Sequence, residues 1–177
     1  MDKKKVLLLA EQFVPQYKID PTLTTALVWQ ESSFDETAIR FEPAFLKRYV
    51  EPLQLTQTNL RYHFSTEILL SMSYGLTQMM GESLREIGFF DWYFKNRIIT
   101  VTAQIATYPM QNTAVADAID WYMMHPEAQI EWGLKWLVQK IGLAHGDIRQ
   151  GLLYWNGGSN KQYDDDVIAK QTQVKGW

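Results

Sequence analysis

Apolar positions recur at helical spacing through most of this chain. Val6, Leu9, Ala10 and Phe13 predict a helix over 4–14, limited by Pro15. Asp20-Pro21 is a start signal, a carboxylate able to cap followed by proline at the first helical position, and Leu23, Ala26 and Leu27 continue it as a helix over 21–33. Glu42-Pro43, with Ala44, Leu46 and Tyr49, predicts another over 41–50. Residues 51–64 are polar and irregular, carry Pro52 and Asn59, and admit a small hairpin. Ser65 can cap a helix through Met72, and Leu76, Met79, Met80, Leu84 and Ile87 form a helical stripe that Gly88 stops. Helices are expected over 95–107 and 113–124, parted by Tyr108-Pro109, with Asn112 as cap of the second. Pro126 opens the longest clean helix, striped by Ile130, Leu134, Leu137 and Ile141 and closed by Gly142. Asp147 can cap a helix through Trp155, Asn156-Gly157-Gly158-Ser159 turns the chain, and a last helix covers 161–171. The pattern predicts a mainly α protein of about eight short helices, formally α+β if the hairpin around 51–64 forms. No βαβ alternation is visible, which argues against a doubly wound or barrel fold.

Composition narrows the picture. At 177 residues, 46% hydrophobic and 14% aromatic, the chain is expected to fold as a single domain over 1–177. A net charge of -3 leaves no basic surplus, so nucleic acid is not the expected partner, and neutral polymers such as sugar chains remain open. The absence of cysteine excludes disulfides and thiolate metal sites. Lys3-Lys4-Lys5 is followed by only five apolar residues, Val6 to Ala10, too few for a signal peptide, and no run approaches a membrane span. The chain is therefore expected to be soluble and not exported by itself.

Glu31 stands out against this background. Leu23, Leu27 and Glu31 are spaced four apart, so the carboxylate lies near the last turn, where an apolar stripe runs out. One reading is a solvated glutamate at a helix end. The other is a desolvated carboxyl, its pKa raised, able to give a proton to a leaving group. Other chemistries find no support. His63, His125 and His145 lack ligand spacing, there is no H-E-x-x-H and no G-x-S-x-G, and Gly157 to Lys161 lacks phosphate-loop spacing. Asp164-Asp165-Asp166 reads as an acidic helix start. No metal or cofactor is expected.

Three local patterns follow in order: Glu31-Ser32-Ser33-Phe34, then Ser73-Tyr74-Gly75-Leu76-Thr77-Gln78, then Tyr154-Trp155-Asn156-Gly157-Gly158 with Tyr163 and Val167 behind it. This order resembles the lytic transglycosylase domain of the lysozyme-like superfamily. The likeness spans residues 20 to 168 and is nearest to phage and prophage wall-degrading members, through Ala38-Ile39-Arg40-Phe41-Glu42-Pro43 and through Pro126 to Leu137 with Trp132-Gly133 inside. The resemblance implies a lysozyme-like fold. It implies cleavage of the β-1,4 bond between N-acetylmuramic acid and N-acetylglucosamine in peptidoglycan, with closure of a 1,6-anhydro ring. Glu31 would be the acid and then the base. Ser73, Gly75, Gln78, Trp155, Asn156 and Tyr163 would contact substrate, Gln78 from a helix beginning at Gly75, with Asn156 alternatively fixing the loop and Tyr163 also able to hold Glu31. Peptidoglycan glycan strands would be the partner. The protein would be made in a bacterial cytoplasm and reach the wall through a phage holin or as part of a virion.

The sequence departs from the family at three places. Trp155-Asn156-Gly157-Gly158 stands where Tyr-Asn-Ala-Gly is usual, and Thr77 stands where methionine is usual. The interval from Glu31 to Gly75 is long, and its filling, 41–72, brings Arg40 and Glu42 in as residues near the site. Residues 95–125 match no motif and are expected to add helices that shape the groove. Taken alone, Gln78 reads as a solvated helix residue and Asn156-Gly157 as a plain turn, while Tyr163 reads equally as packing. Trp132 and Trp136, four apart, read as core. A hydrolytic muramidase using Glu31 with Glu42 or a water remains open. So does a non-catalytic glycan-binding or virion structural module.

Overall fold

Asp20 and Pro21 start the helix on which the first half of the structure is built. The Asp20 carboxylate accepts from the Thr22 amide at 2.8 Å and from its hydroxyl at 2.6 Å, while Pro21 needs no partner for a missing N–H. The computed structural model describes residues 1–53, 64–97 and 112–177. Among these the α-helices are α1 (Lys3–Gln12), α2 (Val14–Tyr17), α3 (Pro21–Ser32), α4 (Pro43–Phe45), α5 (Phe64–Leu70), α6 (Gly81–Glu86), α7 (Phe89–Arg97), α8 (Asn112–Met123), α9 (Pro126–Leu143), α10 (Ile148–Trp155) and α11 (Tyr163–Val174). A π turn covers Leu46–Val50 and a 3-10 turn Glu51–Leu53, and the strands are β1 (Ile39–Phe41), β2 (Met72–Tyr74) and β3 (Met79–Met80). The protein is mainly helical with a small three-stranded sheet. No helix among the described residues is long and apolar enough to cross a membrane.

The chain forms two compact units. The first comprises Met1–Thr37, Gly75–Thr77 and Pro126–Trp177. Here α3 is buried on two sides. Leu23, Ala26 and Leu27 pack with Leu137, Leu152, Tyr163, Val167 and Val174. Val28 packs with Val6, Leu76, Ile130 and Leu134. That double burial explains why every residue from Leu23 to Val28 is buried, where a surface helix would bury one stripe. α11 runs antiparallel along α3: its Tyr163 meets Glu31 at one end, and its Gln171 donates to Asp20 Oδ2 at 3.1 Å and Thr22 Oγ1 at 3.2 Å at the other. Trp132 and Trp136 are core residues, each 6% exposed.

The second unit comprises Ala38–Tyr74 and Gln78–His125. Its sheet has the order β1-β2-β3, antiparallel throughout, with Arg40 opposite Ser73 and Ser73 opposite Met80. The Tyr74 hydroxyl donates to the Leu69 carbonyl at 2.7 Å, and burial, reinforced by the charge of Asp120, holds this phenol protonated well above its usual range. A Cβ on Gly81 would run into the Leu69 carbonyl, so only glycine lets α6 begin this close to α5.

Several expected elements are corrected. The stripe from Leu76 to Ile87 is not one helix: Gly75–Gln78 is a turn, Met79–Met80 is a strand, and α6 starts only at Gly81. Pairing of β2 with β3 satisfies these backbone groups in place of helical bonds, and Gly75 (φ 68°) and Gln78 (φ 47°) both take the left-handed conformation that a helix excludes. The sheet is built from 39–41, 72–74 and 79–80 instead of from 51–64; Glu51–Leu53 is a 3-10 turn and 54–63 lie outside the described residues. Phe41 belongs to β1, so the helical stretch expected over 41–50 starts at Pro43 and widens to a π turn. Pro15 sits in the first turn of α2, where proline is tolerated. Of the helix expected over 95–107, residues 95–97 complete α7, while 98–107 and the Tyr108-Pro109 break lie outside the described residues.

Candidate active site

Glu31 lies in the last turn of α3 and is half-buried. The helix stops two residues later because Ser33 (φ 53°) and Phe34 (φ 70°) are both left-handed, and the Ser33 amide closes the end on the Trp29 carbonyl at 3.1 Å. Two side chains reach Glu31 from distant parts of the first unit. The Trp155 indole Nε1 donates to Glu31 Oε1 at 2.9 Å, and the Tyr163 hydroxyl donates to the same oxygen. Tyr163 is 3% exposed. Burial, then the charge of Glu31 and the bond to it, push its phenol far above the usual range, so it remains a donor.

The α10–α11 connection sets this geometry. Asp147 caps α10, accepting from the Gln150 amide at 3.1 Å. At the other end the Gly158 amide returns to the Leu153 carbonyl at 2.9 Å, and Gly157 and Gly158 take φ of 70° and 73°. Asn156 Oδ1 accepts from the Ser159 hydroxyl at 3.2 Å and from the Asn160 amide at 3.0 Å, and Asn160 Oδ1 accepts from the Gln162 amide at 3.0 Å. Asn156 therefore fixes the loop that spaces Trp155 from Tyr163. Arg149 adds a tie between the helices, with its guanidinium 2.7 Å from Asp164 and 2.6 Å from Asp165.

Gly75 meets a residue that sequence patterns did not single out. Gln129, fully buried in α9, accepts from the Leu76 amide through Oε1 at 2.7 Å and donates from Nε2 to the Glu36 carbonyl at 3.2 Å. Its own carbonyl accepts from Thr77 Oγ1 at 3.0 Å. The close approach that Gly75 permits is to this side chain. On the same helix a Cβ at Gly133 would strike the Thr77 side chain. The available signal was a glutamine set directly between Ala128 and Ile130, one turn before Trp132-Gly133.

In the second unit, Ser73 and Gln78 are brought together. The Ser73 hydroxyl donates to Gln78 Oε1 at 2.8 Å, and Gln78 Nε2 donates to the Ala38 carbonyl at 3.1 Å. Gln78 is thus a buried turn residue that ties the β2–β3 hairpin to the approach of β1, rather than an exposed residue of a helix. Arg40 and Glu42 face each other at 3.9 Å. No cluster of three or more metal-ligating side chains occurs among the described residues.

The structure therefore collects Glu31, Trp155 and Tyr163 into one group with Asn156 behind it, assigns Gly75 to Gln129, and groups Ser73 with Gln78 in the other unit. The chemistry available to the first group is that of one carboxyl, oriented by two neutral donors, which gives up and recovers a proton. Comparison with protein-family models, with curated proteins and with solved structures finds no match.

Proposed function

We propose that this chain is a lysozyme-like enzyme that cleaves the glycan strand of peptidoglycan without water, as lytic transglycosylases do. The observation that carries the reading is the half-buried Glu31 at a helix end, its Oε1 accepting from both Trp155 and Tyr163. A surface glutamate of no function has no need of two donors drawn from other helices.

In this reading the Glu31 carboxyl gives its proton to the glycosidic oxygen between N-acetylmuramic acid and N-acetylglucosamine. The C1–O bond breaks and the N-acetylglucosamine side leaves as an alcohol. The 6-hydroxyl of the muramic acid then attacks C1 and passes its proton to the Glu31 carboxylate, closing the 1,6-anhydro ring. One carboxyl suffices because the nucleophile belongs to the substrate, and intramolecular attack carries a high effective concentration. Tyr163 and Trp155 stabilise the carboxylate as it forms. The protein would act on the bacterial wall, delivered by a holin or carried in a virion.

Mass spectrometry of purified peptidoglycan after digestion tests this. The expected muropeptides carry anhydro ends, one water lighter than hydrolysed ones, and are absent with Glu31→Gln. Reducing ends in their place would make the enzyme a hydrolytic muramidase. No release by either protein, with binding retained, would make it a glycan-binding module.

A further inference from the structure

One part of the first unit gathers aromatic rings and lysines. Trp29 of α3 stacks on Phe34 with ring centres 6.0 Å apart, and Trp177, beyond α11, lies 5.6 Å from the first and 6.1 Å from the second. Two cations close on this cluster. Lys3 of α1 lies 4.1 Å over the Trp177 ring, and Lys170 of α11 lies 5.6 Å over the Trp29 ring. Trp177 is 36% exposed.

The outward face of α1 continues the pattern. Val6 and Ala10 turn into the core, so helical spacing puts Lys4, Lys5 and Leu8 on the opposite side, and all three are exposed, Leu8 at 60%. Lys3, Lys4 and Lys5 fill the first turn, where cations oppose the helix dipole and no acidic side chain offsets them. The nearest acids are engaged elsewhere. Asp2 accepts from the Lys4 amide at 2.8 Å, Asp20 lies 4.0 Å from Lys175, and Glu11 sits at the far end of α1. Among the described residues, Lys3, Lys4, Lys5 and Lys170 form no ion pair.

We propose that this face, formed by the exposed side of α1 and the Trp177 cluster beside it, docks the protein on a bilayer rich in anionic phospholipid. Ammonium groups meet headgroup phosphates, an indole ring sits at headgroup level, and leucine enters the apolar boundary beneath. A purely polar polyanion would gain nothing from Leu8 or Trp177. The chain carries a net charge of -3, so an anionic surface repels the molecule as a whole, and attraction comes from this patch when it is turned toward the lipid. The inference stands independently of the glycan cleavage proposed above.

The test is co-sedimentation of the full chain with vesicles of phosphatidylcholine, alone or with about one-third phosphatidylglycerol. Binding is expected to the anionic vesicles only, and to weaken as salt is raised. Lys3→Gln, Lys4→Gln and Lys5→Gln together should weaken it about a hundredfold, roughly fivefold for each charge. Lys47→Gln with Arg48→Gln, in the other unit, should leave it unchanged. Leu8→Ser and Trp177→Ser should each weaken it with every lysine in place. Circular dichroism verifies that each variant is folded. No binding to the anionic vesicles, equal binding to both kinds, or undiminished binding by the folded triple variant overturns the inference. Binding to polyphosphate as tight as to vesicles, and unaffected by Leu8→Ser and Trp177→Ser, overturns it too, since the face would then be a polyanion site. Failure of the proposed activity looks different: the wild type sediments with anionic vesicles and releases no muropeptide.

Discussion

Gln129 Oε1 occupies the space that a Cβ on Gly75 would need, and from there it accepts the Leu76 amide at 2.7 Å. Gly75→Ala must therefore strain a left-handed backbone (φ 68°) and displace a buried amide at once. The expected cost is about 2–4 kcal/mol, combining the left-handed penalty with overpacking. Gln129→Ala should cost about 1–3 kcal/mol by leaving the Leu76 N–H buried without its acceptor. The double variant should be less unstable than the sum of the two, because the new methyl enters vacated space. Denaturant unfolding of the four proteins measures this, and strict additivity would disprove the steric link.

Glu31→Gln is expected to abolish muropeptide release while leaving the unfolding midpoint within about 1 kcal/mol of wild type. An amide can still accept the Trp155 and Tyr163 donors, so the fold loses little. Retained turnover would remove Glu31 from the chemistry.

With Glu31 as the acid, the rate falls as pH rises through its titration. The rate should be unchanged by chelator, since the proposed mechanism routes no step through a metal. A rate flat across the pH range in which a carboxyl must titrate would contradict the assignment.

Alkaline stability follows from Tyr163. Burial first, and then Glu31, raise its phenol in the folded protein, whereas an unfolded tyrosine titrates near 10.0. The unfolded state thus binds fewer protons above that pH, and stability falls as pH rises. The contribution is complete below about pH 10 and is lost progressively above it. Tyr163→Phe should flatten this slope by close to one proton, read from unfolding free energies measured at stepped alkaline pH. An unchanged slope would show that Tyr163 ionises as easily folded as unfolded.

Asp147→Ala removes the cap of α10, which accepts from Gln150, and should cost about 1 kcal/mol in thermal or denaturant unfolding. A neutral result would mean that the Arg149 tie to Asp164 and Asp165 holds the helix start by itself.

The helices that carry Glu31, Trp155 and Tyr163 were legible because their signals are local. Asp20-Pro21, Asp147 and the Asn156-Gly157-Gly158 turn state their own boundaries. The sheet was not legible, because strands of two or three residues leave no period to read. Leu76, Met79 and Met80 fit a helical stripe, yet they lie in a turn and a short strand, and the Leu76 amide there is held by Gln129, 53 residues away. The resemblance implies only that Trp155 contacts substrate. Its role as a donor to Glu31 depends on a partner 124 residues earlier, which no window of sequence contains.

That separation orders the birth of the site in time. Glu31 precedes its donors by 124 and 132 residues. At ribosomal speed the carboxylate leaves the exit tunnel roughly 7–26 s before Tyr163 does. Through that interval its helix still lacks α10 and α11, and with them the Trp155 and Tyr163 donors. The oriented carboxyl appears only when those two helices dock, so nascent chains and amino-terminal fragments contain Glu31 without the Trp155 and Tyr163 donors.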